Sequence, residues 1–180
     1  MAVKYLQMSD VRYFSVEKRR SVELNESRTR YAMASEKIKV FLSHKHDEDP
    51  DVIENVKALF LSVGSSLYID WQDQSMPEIT SVETAENLKN AIRGTRKFVV
   101  LATPLSIKSI WIPWEIGLAD QMKGLPNMAM LPILDPGETW EKREYCRLYD
   151  RIVEVDGVWS VMGPSNSYSV KTSLYNWLRS

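Results

Sequence analysis

The sequence is short of the residues that most directly mark a metal site, a disulfide framework or a membrane span. It holds one cysteine, Cys146, and two histidines, His44 and His46, in 180 residues. A lone cysteine forms no internal disulfide, and two histidines without further cysteine or histidine neighbours do not make a closed zinc site. No apolar run approaches the ~20 residues of a transmembrane helix, and the chain opens without an apolar signal segment. We therefore expect a cytoplasmic protein that binds no metal and no membrane.

Charge excess and glycine-rich loops are also missing. The formal net charge is −1, which gives no electrostatic footprint for nucleic acid or an acidic membrane surface. Neither G-x-G-x-x-G nor the P-loop pattern occurs in the sequence, so a classical dehydrogenase and an NTPase are not indicated. Ser43 stands in no G-x-S-x-G motif, which argues against a hydrolase nucleophile at that position.

Apolar strand-like runs alternate with helical patterns from residue 38 onwards. Regular alternation predicts an α/β fold in which helices cover both faces of a parallel sheet. A short helix is expected within residues 138–149, and a closing helix from about residue 169 to 178. The five predicted strands lie near residues 38–43, 67–70, 97–102, 128–134 and 152–155.

The first 36 residues differ in character from the rest of the chain. They are highly charged, and their apolar residues are sparse and poorly periodic. We interpret residues 1–36 as a charged N-terminal arm, part helix and part loop, that lies on the domain or on a neighbouring copy. Residues 37–180 then form the domain itself.

The segment Ser109–Asp120 predicts a helix that starts just after the third strand. Ser109 is a suitable N-cap, and Pro113 is tolerated near a helix start. Residues four apart share a helix face, so Trp111 and Glu115 are expected to lie together. Such a pair is more often a packed face with a solvated acid than a site, so its neighbours matter. The apolar series on the core side is Ile112, Ile116 and Ala119.

Three segments follow the ends of successive strands and are expected to meet at one edge of the sheet. They are Ser43–His46, Asp70–Thr80 and Trp111–Glu115. A carboxylate opposite a sugar carbon is the standard device for cleaving a glycosidic bond through a cationic transition state. Trp111 or Trp71 can stack a flat base. A nucleotide with a cationic base as leaving group would suit these residues.

These segments together resemble the Toll/interleukin-1 receptor (TIR) domain family. The resemblance is carried by Ile38–Ser43 running into His44-Lys-His46, by the strand end Tyr68–Asp70, and by the Trp111-x-x-x-Glu115 helix. The loop from Asp70 to Pro77 is similar to a variant found in bacterial TIR proteins. The family implies a flavodoxin-like fold with three layers and five parallel strands.

The resemblance also implies an activity and a site. Some TIR proteins cleave the nicotinamide–ribose bond of NAD, and some of these cyclise the ADP-ribose. The catalytic glutamate of the family falls on Glu115, and its partner tryptophan falls on Trp111. NAD is then the substrate, and no separate cofactor is implied. The residues that fall on the two pocket loops are Ser43, His44, Lys45 and His46 in the first, and Asp70 and Trp71 in the second, where Lys45 and His46 can hold phosphate charge.

The sequence leaves three functions open. The first is an NAD glycohydrolase or ADP-ribosyl cyclase, similar to stand-alone TIR enzymes of antiphage systems such as Thoeris. The second is a non-catalytic TIR scaffold that acts by self-association. The third is a nucleoside deoxyribosyltransferase, which also uses a glutamate at a sugar carbon. An arm of about 36 residues is too small to sense a phage alone. We therefore expect the protein to be activated by self-association or by an effector or sensor protein.

Overall fold

The computed structural model describes residues 3–8, 38–69, 81–138, 144–164, 167 and 169–180. Four α-helices are defined there: α1 (Pro50–Ser62), α2 (Val82–Gly94), α3 (Trp111–Lys123) and α4 (Leu174–Arg179). The strands are β1 (Val3–Lys4), β2 (Leu6–Gln7), β3 (Ile38–Ser43), β4 (Ser65–Tyr68), β5 (Lys97–Ala102), β6 (Met128–Leu134), β7 (Asp150–Val155), β8 (Val158–Met162) and β9 (Val170–Ser173). None of the helices in these ranges is long and apolar enough to cross a membrane.

The predicted α/β fold is confirmed by the order and direction of the central strands. The main sheet runs β4-β3-β5-β6-β7-β8-β9, and its first five strands are parallel. This is the order 2-1-3-4-5 of flavodoxin-like folds. Three strand boundaries differ from the prediction. β4 ends at Tyr68 rather than at residue 70, and polar residues extend the starts of β4 and β7. β4 begins at Ser65, whose hydroxyl donates to the carbonyl oxygen of Ile38, and β7 begins at Asp150.

An antiparallel hairpin extends the sheet beyond the five predicted strands. β7 turns into β8 at Asp156 and Gly157, which both have positive φ angles of 49° and 81°. Two such residues are typical of the tight turn that joins twisted strands. The predicted helix over residues 169–178 is wrong in its first half, because Val170–Ser173 pairs with β8 as β9. The helix begins only at Leu174, with the Ser173 hydroxyl as its cap.

Helix starts in the first half of the fold follow the capping rules. The Asp49 side chain accepts the backbone N–H of Asp51, and Pro50 occupies the first position of α1. Ser81 and Thr84 form a reciprocal capping box at the start of α2. Within residues 138–149 the described part holds a short 3-10 turn, Tyr145–Leu148, and residues 139–143 lie outside the described ranges.

Two apolar layers cover the two faces of the sheet. On one face, strand residues such as Val40 and Leu42 pack with α1 and α4. On the other, Phe41 stacks on Phe98 at a centroid distance of 5.2 Å and packs with α2 and α3. This alternation along β3 is the period-2 pattern of a strand buried on both sides.

The first described residues add two short strands to the sheet. β1 pairs with the end of β7, and β2 pairs with the end of β6. β6 and β7 pair directly with each other only near their starts, at Ala129–Met130 and Asp150–Arg151. The N-terminal strands therefore satisfy backbone groups where β6 and β7 separate. The expectation that the arm is part helix and part loop is wrong for β1 and β2, which form strands because the ends of β7 and β6 pair with them. The rest of the arm, residues 1–2 and 9–36, lies outside the described residues, so its boundary stays a prediction.

Candidate functional site

The candidate site lies at the carboxyl ends of β3 and β5. The strand that follows β3 in sequence, β4, pairs on one side of it, and β5 pairs on the other. The chain therefore changes direction across the sheet between β3 and β5. In open α/β sheets, ligands bind in the crevice formed at such a switch point. α3 starts nine residues after the end of β5, at the same edge.

A hydrogen bond joins two of the three segments that the sequence predicts to converge. The Ser43 hydroxyl donates to Oε2 of Glu115 at 2.5 Å, although the residues are 72 positions apart in sequence. Both side chains are buried. A buried carboxylate is costly unless it accepts hydrogen bonds, and Ser43 supplies one of them. The carboxyl edge of the sheet thus contains a fixed acid that is largely shielded from water.

Helix α3 presents Glu115 on its buried side. Ile112, Ile116 and Ala119 share that side and confirm the predicted core series. The helix begins at Trp111, and the Ser109 hydroxyl accepts the backbone N–H groups of Trp111 and Ile112 at 3.2 and 3.4 Å. Glu115 is therefore held one turn inside a helix whose N-terminal end carries a partial positive charge.

The start of α3 carries an exposed aromatic pair beside the buried acid. Trp111 is 40% exposed and Trp114 is 38% exposed, and their rings meet edge to face at 5.7 Å. Ile110 before them is 85% exposed. Trp111 was expected from the sequence, whereas Trp114 was missed, although it lies in the same motif. The pair offers an accessible aromatic surface next to Glu115.

The first predicted loop is divided between buried and exposed residues. His44 is buried, and its Nδ1 donates to the carbonyl oxygen of Leu42 at 3.2 Å. Lys45 forms an ion pair with Asp47 at 2.5 Å, and this hydrogen bond lowers the pKa of the Asp47 carboxyl. His46 is exposed. Lys45 and His46 therefore lie nearer to solvent than Ser43 and His44.

Sequence reasoning missed a second buried acid at the same edge. Glu48 is buried, and its Oε2 accepts a hydrogen bond of 2.5 Å from the hydroxyl of Thr103. Thr103 follows β5 directly, as His44 follows β3. No local pattern marks Glu48, because its partner lies 55 residues away.

Asp70 and Trp71 of the predicted site, with the loop to residue 80, lie outside the described residues. Their part in the site stays a prediction. Among the side chains that the structure does describe, no three His, Cys, Asp or Glu residues cluster as metal ligands would.

Two comparisons with known proteins bear on this site. The family model described as "Thoeris protein ThsB, TIR-like domain" matches residues 41–135, which is more than half of the chain. A Bacillus cereus (strain MSX-D12) protein, named probable 3' cyclic ADP-D-ribose synthase ThsB', is 29% identical over 119 residues. That match covers 64% of this chain and 60% of the relative, so the chain spans less than two thirds of the relative's length. Both Ser43 and Glu115 lie inside the family match.

Proposed function

Because the chain belongs to the family of TIR-like domains of the Thoeris protein ThsB, we propose that it cleaves the nicotinamide–ribose bond of NAD. The observation that carries this proposal is the buried Glu115 carboxylate, held by Ser43 at the switch point and flanked by exposed tryptophans. A glycosidic bond to a cationic base is the chemistry that such a set of groups suits.

Glu115 is the proposed catalytic residue. As nicotinamide departs, its ring nitrogen takes the bonding electron pair and becomes neutral, while positive charge grows on the ribose carbon. A carboxylate fixed beside that carbon stabilises the transition state more than the ground state, where this charge is absent. Ser43 contributes by fixing the carboxylate before the substrate arrives, so that little reorganisation is needed during the reaction.

Other residues of the crevice are proposed to bind the substrate. We propose that the exposed Trp111 ring stacks on a flat base of the substrate. Lys45 and His46 stand on the solvent side of the first loop and suit the diphosphate, with Lys45 exchanging its Asp47 partner for a phosphate oxygen. Asp70 and Trp71 of the second loop complete the proposed pocket, and NAD is the substrate rather than a cofactor.

We further propose that the product is a cyclic ADP-ribose signal in bacterial antiphage defence. Support comes from the name of the Bacillus cereus relative, which describes a 3' cyclic ADP-D-ribose synthase. In that outcome, a nucleophile within the ADP-ribose captures the ribose carbon in place of water. The proposed setting is the cytoplasm, where NAD is available, with self-association and an effector or sensor protein as partners.

One observation favours a second function, that of a non-catalytic scaffold. Ile110, Trp111 and Trp114 are exposed apolar residues at the start of α3, and the two tryptophan rings contact each other. Exposed apolar surface of this kind is typical of protein contact sites. A scaffold would use this surface for docking copies of the chain and would need no acid in the crevice. The buried Ser43–Glu115 pair favours the enzyme.

Incubation of the purified chain with NAD, followed by chromatography of the products, separates these functions. The enzyme releases free nicotinamide together with a cyclic or linear ADP-ribose. The measurement is repeated across a concentration series, because a self-associating enzyme gains specific activity as the chain becomes more concentrated. A chain that associates but leaves NAD intact at every concentration is the scaffold.

A further inference from the structure

Two hydroxyl–carboxylate hydrogen bonds link the end of β3 and its following loop to the segment from the end of β5 into α3. The hydroxyl comes from the β3 side in one bond and from the β5 side in the other. Ser43, at the end of β3, donates to Glu115 on the helix that follows β5. Thr103, directly after β5, donates to Glu48 in the loop that follows β3. Each bond is 2.5 Å long, and none of the four side chains is more than 6% exposed. The loop after β3 is therefore tied at both ends to the segment that leads into α3.

Both sides of the second bond are held in place by their own loops. The Thr103 hydroxyl accepts the backbone N–H of Ser106 at 2.9 Å, and the Ser106 hydroxyl accepts the backbone N–H of Thr103 at 2.8 Å. On the other side, the backbone N–H of Glu48 donates to the carbonyl oxygen of Lys45 at 3.0 Å, closing a turn. Movement of either partner would therefore move a whole loop.

We propose that Glu48 and Thr103 are positioning residues that keep the Ser43 hydroxyl within hydrogen-bond distance of the Glu115 carboxylate. This inference rests on the proposed function. Burying the Glu48 carboxylate costs free energy unless a hydrogen-bond partner compensates for its lost hydration. That partner, Thr103, lies on the opposite loop. When the Thr103–Glu48 bond is present, the loop after β3 cannot lift away from α3 without exposing unpaired polar groups.

The test compares Thr103→Val, which keeps shape and removes the hydroxyl, with Thr103→Ser, which keeps the hydroxyl. A matched control is Thr95→Val at the other end of the β5 segment. Thr95 is also buried, and its hydroxyl donates to the carbonyl oxygen of Ile92, away from the site. Thr103→Val loses two buried hydrogen bonds, one to Glu48 and one from the backbone N–H of Ser106, whereas Thr95→Val loses one. The free energy of unfolding of each variant is therefore measured beside its rate, which separates a general loss of stability from a loss of positioning.

With NAD as substrate, we expect Thr103→Val to lower kcat on the order of tenfold to a hundredfold, as small misplacements of reacting groups do. KM should change little, because the binding surface of the tryptophans is untouched. Thr103→Ser should restore most of the rate, and Thr95→Val should keep the rate of the wild type. Because Thr103 acts through Ser43, the double variant Ser43→Ala/Thr103→Val should lose no more than Ser43→Ala alone.

Losses that multiply in the double variant, or a Thr95→Val variant as slow as Thr103→Val, would show a merely structural role and overturn the inference. Hydrogen exchange of the full-length chain tests the same bond without activity. Exchange in residues 44–49 should accelerate in Thr103→Val and not in Thr95→Val. If the wild type releases no nicotinamide while this acceleration is seen, the proposed function fails and the loop restraint stands. Unchanged exchange in Thr103→Val overturns the inference.

Discussion

The Ser43 hydroxyl, at the carboxyl end of β3, donates to the Glu115 carboxylate, one turn inside α3, at 2.5 Å. Neither side chain has more than 5% of its surface exposed. The pair joins the first strand of the predicted domain to the helix after its third strand. The hydrogen bond brings the loop motif that begins at Ser43 and the helix motif that contains Glu115 into one candidate catalytic site.

Removal of the hydroxyl should therefore slow the proposed reaction. A hydrogen bond to a charged group contributes about 1.5–3 kcal/mol, so Ser43→Ala should lower the rate of nicotinamide release roughly tenfold to a hundredfold. The control is Ser160→Ala, since Ser160 is also buried but donates to the carbonyl oxygen of Val158 on β8. Equal steady-state rates for Ser43→Ala and the wild type would contradict a role for this bond.

The exposed tryptophans should act on substrate binding. Stacking of a base on an aromatic ring is worth about 1–3 kcal/mol, so Trp111→Ala should raise KM for NAD about five- to a hundredfold. Trp114→Ala should have a smaller effect of the same kind, because its ring supports Trp111 edge to face. The exposed Tyr175 on α4 offers the control Tyr175→Ala. A loss of rate with unchanged KM in the Trp111 variant would argue against stacking.

Lys97 should make the free energy of unfolding rise with pH in the alkaline range. Burial, with Arg96 and Lys123 nearby, lowers the pKa of Lys97 from 10.5 to about 8. Between those pH values the unfolded chain holds more protons than the folded one, so the free energy of unfolding rises with pH. The rise is at most about 1.4 kcal/mol per pH unit for one group. Below pH 8 both states are protonated, and the cost of burying the charge is fully present.

Denaturant unfolding of the wild type and of Lys97→Met between pH 8 and 10 tests this. The wild type should become more stable over the window, and the variant should show a smaller slope. The free energy of unfolding of Lys97→Met should still rise somewhat with pH, because burial also lowers the pKa of Lys123. Above pH 10 the trend reverses, since burial raises the pKa of Tyr149 to about 12. Parallel curves for the two proteins would contradict the assignment to Lys97.

The sequence predicts best those elements whose pattern is local. The strands Ile38–Ser43, Lys97–Ala102 and Met128–Leu134 have the predicted bounds because unbroken apolar runs mark strands buried on both faces. β1 and β2 are only two residues each, too short for any period to show. β9 resembles the start of a helix by pattern and becomes a strand because β8 offers it a pairing edge.

The same limit applies to the candidate site. Glu115 could be singled out from the sequence because its helix carries a recognisable spacing and starts at the right edge of the sheet. Glu48 and Thr103 could not, because their contact depends on two loops meeting across 55 residues. The expectation that Trp111 and Glu115 share one face needed refinement as well. Glu115 lies on the buried side of α3, while Trp111 is 40% exposed and contacts Trp114.

The most direct test of the account is nicotinamide release from NAD by the wild type and by Glu115→Gln, at equal concentration and with matched circular dichroism spectra. Glutamine keeps the shape and an acceptor for Ser43 but removes the charge. Glu54→Gln, which changes an acid on α1 that pairs with Lys57, is the matched control. We predict that Glu115→Gln releases nicotinamide at least about a hundredfold more slowly, as for other single electrostatic groups, while the control matches the wild type. Release by Glu115→Gln at the wild-type rate would contradict the account.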